Sequence, residues 1–89
     1  MKVTLTPIVA PNQVRFRVSG ESLWVNDAEF DLSDIAEGEE RWSSWLRSPW
    51  IVGYVRRRSG EIEISLLQPV AADSTDTQRS FTVIDGWPA

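Results

Sequence analysis

The 89-residue sequence contains neither cysteine nor histidine. Without cysteine no disulfide can staple the fold and no thiolate can hold a metal, so stability rests on packing alone. Without histidine the commonest general base and the commonest transition-metal ligand are both missing. Long apolar runs are missing as well. Nothing approaches the roughly 18 residues that span a bilayer, and Met1-Lys2-Val3-Thr4-Leu5 lacks the apolar core of a signal peptide, so a cytoplasmic, membrane-free chain is expected. Positive charge is scarce too. Nine Lys and Arg stand against thirteen Asp and Glu, a net charge of −4, which argues against nucleic acid as a partner. No spacing matches a zinc site, a phosphate-binding loop or an activated nucleophile, and the Asp31 and Asp34 pair does not fit a calcium loop. No catalytic residue, metal or cofactor is expected.

What is present is an apolar fraction of 42% with five tryptophans, enough for one core and too little chain for two. A single domain over residues 1–89 is expected. Apolar and polar residues alternate in short runs, the signature of half-buried strands. Val14, Phe16 and Val18 form one run, Leu23 and Val25 a second, and Phe30 and Leu32 a third. Turn formers at Ser19-Gly20-Glu21-Ser22 and Asn26-Asp27-Ala28 separate them, which predicts a three-strand meander. A second hairpin is predicted from residues 50–57 and 61–68, joined around Ser59-Gly60. Ile62, Ile64 and Leu66 should point inward, with Arg56 and Arg58 facing carboxylates across the strands. Pro49 and Pro69 should bracket this hairpin. Strands are also expected around residues 3–10 and 80–84, the first at a sheet edge because of Pro7. Between meander and hairpin, acids precede arginines, and Trp42, Trp45 and Leu46 fall at i, i+3 and i+4. That pattern predicts a short helix around residues 38–47. Residues 71–79 are polar and read as a mobile loop. The expected fold class is mainly β, with antiparallel meander and hairpins forming a small roll or sandwich.

Charge is segregated along the chain: residues 21–40 carry only acids and residues 41–58 only bases. Such blocks either pair within one copy or dock one copy onto another. On the plainer alternative Arg15, Arg17, Glu29 and Asp31 make one solvated sheet face. Arg56-Arg57-Arg58 is a compact basic cluster suited to an acidic partner or a phosphate backbone, or simply a solvated hairpin end. Trp24 lies off the register of Leu23 and Val25. Together with Trp42 and Trp45 it marks either a contact patch or a second small core.

The succession Val18-Ser19-Gly20, Leu23-x-Val25-Asn26, Phe30-Asp31-Leu32-Ser33-x-Ile35-x-Glu37-Gly38 and Ser48-Pro49-Trp50-Ile51-Val52-Gly53 runs on to Gly60-Glu61-Ile62-Glu63-Ile64-Ser65-Leu66. It resembles uncharacterised small proteins encoded in the tail regions of tailed bacteriophages and prophages. The likeness covers about residues 18–66, with a looser echo from Phe81 to Pro88. It departs at Asp27, where the pattern has glycine. The resemblance implies a phage or prophage origin, a place in the bacterial cytoplasm or the phage particle, and a link to tail structure or assembly. The resulting expectation is a non-enzymatic accessory protein that acts by contact with a protein partner, either a tail component or a second copy. The alternative is a carbohydrate-stacking β module using Trp24 or Trp42.

Overall fold

The computed structural model describes residues 1–87. The expected domain span of 1–89 and the looser echo up to Pro88 run into residues 88–89, which lie outside the described residues.

The first three alternating runs become β2 (Phe16–Ser19), β3 (Ser22–Val25) and β4 (Ala28–Asp31), an antiparallel meander. The turns are the predicted ones. Gly20, with φ +60°, takes the position of the first two-residue loop that glycine fills at least cost. A short β9 (Asp85–Gly86) completes this sheet in the order β4-β3-β2-β9. The second sheet runs β5-β6-β7-β1-β8, with β1 (Lys2–Val9), β5 (Glu40–Trp42), β6 (Ile51–Arg58), β7 (Glu61–Val70) and β8 (Arg79–Thr82). The β6–β7 hairpin closes through Ser59 and Gly60, both at positive φ, the backbone that matches strand twist in a two-residue hairpin. The fold is thus mainly β in two sheets, as the alternation predicts.

Three expectations are corrected. β1 is an inner strand, parallel to β7 and antiparallel to β8, so Pro7 does not make it an edge. The β8 ladder ends at Leu5↔Arg79, and Pro7 lies beyond it, where one side of β1 has no neighbouring strand. Pro69 sits inside β7 rather than after it, paired with Ile8 near the strand end. The helix expected around 38–47 shrinks to one 3-10 turn, Ser43–Leu46, because Glu40–Trp42 is drawn into the sheet against β6. Of residues 71–79, expected to be a mobile loop, 71–78 run exposed with no strand and Arg79 begins β8.

The sheets share one hydrophobic cluster. Val3, Leu5, Ile51, Val55, Ile62, Ile64 and Leu66 come from the inner face of the five-stranded sheet, and Phe16, Val18, Leu23 and Val25 from the other. Leu32, Ile35 and Val83 fill from the connections. Trp87 joins the layers as an aromatic bridge, its ring 5.3 Å from Phe16 and 5.4 Å from Phe81. Among the described residues no helix is long and apolar enough to cross a membrane.

Candidate functional site

The outer face of the five-stranded sheet is built by register. Glu40, Arg56, Glu63, Lys2 and Thr82 are successive partners across all five strands. Two acids and two bases alternate along that row. Arg56 is the hinge of the row: its Nη1 donates to Glu40 at 3.1 Å and its Nε to Glu63 at 3.0 Å. These two carboxylates, Glu40 first, push the guanidinium above the usual arginine range. One step along the strands a hydroxyl row runs from Ser65 to Thr4 to Ser80, with the Thr4 and Ser80 hydroxyls 2.8 Å apart. Between the two rows lies an open groove of about 270 Å³, walled by Tyr54.

Tyr54 meets Trp42 across the β5–β6 pair, edge to face, with centroids 4.9 Å apart and planes at 78°. Both are more than half exposed, at 55% and 56%. Trp45 follows on the 3-10 turn and is 41% exposed. Its ring lies 5.5 Å from the Arg41 guanidinium. Arg41 pairs with buried Val55, so it projects from the opposite face of the sheet to Trp42. Its guanidinium is fixed by Glu39 at 2.6 Å and Asp34 at 3.0 Å, and those contacts, Glu39 foremost, raise its pKa. Exposed Trp42 on the terminal strand β5 and exposed Trp45 on the turn that follows thus lie close along this edge.

The basic cluster separates into three different roles. Arg56 belongs to the outer row. Arg57 pairs with Ile62 on the inner face, is only 15% exposed, and reaches across to the other sheet. Its Nε donates to the Ile35 carbonyl at 2.6 Å, and its Nη1 meets the Glu21 carboxylate at 2.5 Å and the Gly60 carbonyl at 3.2 Å. Glu21 comes from the β2–β3 turn, so this contact ties the two sheets. Glu37 completes the clasp by accepting the Ser59 and Gly60 N–H groups at 2.8 and 2.6 Å. Arg58 makes no ion pair among the described residues.

Trp24 stands apart from Trp42 and Trp45. It lies on the outer face of the four-stranded sheet, between Arg17 and Glu29 in register, with the Arg17 guanidinium 4.8 Å from its ring. Trp50 and Trp87 are part-buried against the core. The sequence pattern singles out Trp42 and Trp45 but passes over Tyr54, although Tyr54 holds an outward position between inward Gly53 and Val55. The hydroxyl row has no such signal, because serine and threonine on an outer face are unremarkable in any strand.

Chemically, this face presents stacking rings, hydroxyls and a row of two acids and two bases, in which Arg56 is paired with both Glu40 and Glu63. No group of three or more Asp and Glu side chains among the described residues is placed to hold a metal ion. The structure thus defines a two-sheet β protein with an aromatic edge and a polar groove. Comparison with protein-family models, with curated proteins and with solved structures finds no match.

Proposed function

We propose that the protein works without chemistry of its own, by protein–protein contact through the β5 edge. The observation that carries this is the exposure of Trp42, Tyr54 and Trp45 around a terminal strand. Large aromatics anchor protein interfaces when a partner desolvates them, and a strand with no outer neighbour can also receive backbone hydrogen bonds. Support for a non-catalytic role comes from the carboxylates and the basic cluster. Glu21, Glu39, Glu40 and Glu63 are engaged by arginine, and Glu37 by backbone, while Arg56 and Arg57 are held by acids of the same chain. That internal engagement also speaks against the arginine cluster as a nucleic-acid contact.

The resemblance over residues 18–66 supplies the partner class, a component of a phage tail, and with it a prophage-derived accessory role in tail structure or assembly. The test is co-expression with tail proteins encoded beside this one, followed by affinity measurement. A stable complex should form, and Trp42→Ala combined with Trp45→Ala should weaken it by about tenfold or more, the effect of losing interface anchors. No complex, or one indifferent to both substitutions, would overturn the proposal.

A further inference from the structure

We infer that the groove on the outer face of the five-stranded sheet is a binding site for a neutral oligosaccharide. This goes beyond the protein contact at β5 and does not depend on it. The groove runs across β6, β7, β1 and β8, where Tyr54 and Arg56 face Glu63 and Ser65, then Lys2 and Thr4, then Ser80.

Three features point to a glycan. The first is charge balance: in the row Glu40, Arg56, Glu63, Lys2, the two acids offset the two bases, and Arg56 is already shared between Glu40 and Glu63. An anion would meet Glu63 in the groove with Glu40 bound behind Arg56, and a cation would meet Arg56 and Lys2, so neither gains strong net attraction. A neutral ligand rich in hydroxyls meets donors and acceptors side by side, with Arg56 and Glu63 held in place by their ion pair and Thr4 and Ser80 by their hydrogen bond, so little is lost in ordering those four. The second is the aromatic wall. Tyr54 is more than half exposed and braced edge-to-face by Trp42, which leaves a supported ring against which the C–H face of a sugar can pack. The third is shape. The groove is open and, at about 270 Å³, smaller than enclosed small-molecule pockets of roughly 300–1,000 Å³. An open trough across successive strands suits an extended chain of polar units lying on the sheet. A peptide is the weaker fit, because Ile64 is the one aliphatic residue lining the groove and it is buried.

The test is an array of neutral glycans, followed by titration of the strongest binders by tryptophan fluorescence. Neutral oligosaccharides should bind. Tyr54→Ala should weaken binding by about tenfold, the scale of one aromatic stacking contact. Ser65→Trp, which fills the groove floor and leaves Trp42, Tyr54 and Trp45 in place, should abolish glycan binding yet spare a complex made through the β5 edge. Trp24→Ala, on the other sheet, should change nothing, and unaltered thermal unfolding of each variant shows that the fold is kept. A silent array, binding confined to charged glycans, or binding retained in both Tyr54→Ala and Ser65→Trp would overturn the inference.

Discussion

Arg57 shows how one side chain serves two sheets. Its position opposite Ile62 sends it inward, toward apolar neighbours that would penalise an unpaired charge, and it escapes that penalty by leaving at the open end of the core. There it finds the Ile35 and Gly60 carbonyls and the Glu21 carboxylate. The consequence for Glu21 is a carboxyl held below its usual value of 4.5, chiefly by the hydrogen bond from Arg57. Glu39, bonded by Arg41 and by the Ala36 N–H, and Asp31, bonded by Ser33, are lowered in the same sense. All three release their protons more readily folded than unfolded. Their contribution to stability is therefore complete above the ordinary carboxylate range and is lost as pH falls through the depressed folded values. A urea-unfolding midpoint should stay level from about pH 7 to about pH 5 and then fall as the pH drops below about 4.5. Glu21→Gln should start lower at neutral pH and fall less steeply. A variant that tracks the parent at every pH would show that the Arg57–Glu21 contact contributes nothing to stability, as many exposed ion pairs do.

Among the elements, β6 carries the largest irregularity. Between the pairs Val52↔Ser65 and Arg56↔Glu63, three residues of β6 oppose Ile64 alone. The surplus of two preserves the in–out alternation, so Val55 still points to the core while Tyr54 and Arg56 reach the outer face. Gly53 makes the bulge feasible at φ +70°, a backbone that residues with a Cβ adopt only at a cost. No atom lies within 4 Å of a Cβ added there, so the penalty of Gly53→Ala is conformational rather than steric crowding. It should destabilise by about 1 kcal/mol, read as a fall in melting temperature of about 4–8 °C. An unchanged melting temperature would mean that the bulge relaxes at no cost. The segment after β4 shows the opposite relation between pattern and outcome. Its acids and arginines follow the order a helix dipole favours, yet Glu40 reaches Arg56 through the extended pairing of Glu40–Trp42 beside β6. Tertiary pairing outweighs a helical preference that is small for so short a segment.

For the whole molecule, stability lies between the sheets. Leu66 is fully buried at the middle of β7, among residues from both layers. Leu66→Ala should cost about 2–5 kcal/mol, lowering the urea midpoint with little change in slope. Ile84→Ala, at a site 86% exposed, should stay within about 0.5 kcal/mol. Equal effects would mean that the cluster is not packed as described. The charge blocks also find their meaning at this scale. Arg41, Arg56 and Arg57 take Asp34, Glu39, Glu40 and Glu21 within one copy, so the segregation along the chain becomes pairing in space. Alternation proposes a carboxylate across the hairpin for Arg56, which Glu63 supplies, and an exposed face of Arg15, Arg17, Glu29 and Asp31, all four of which are exposed.

The sequence by itself determined the local structure: the meander, the β6–β7 hairpin, the turn residues between them, and the inward set Ile62, Ile64 and Leu66. Those features depend on residues close in the chain, where a two-residue alternation and a glycine or asparagine at a turn leave few alternatives. Only the tertiary structure decided that β1 lies parallel to β7, that Arg57 crosses between sheets, and that Tyr54 and Trp42 meet beside a row of alternating charge. Each brings together residues distant in sequence, and nothing in a strand's own pattern names its neighbour. The groove is therefore invisible in the sequence for a physical reason: its walls come from four strands, and each contributes side chains that are ordinary on any outer face.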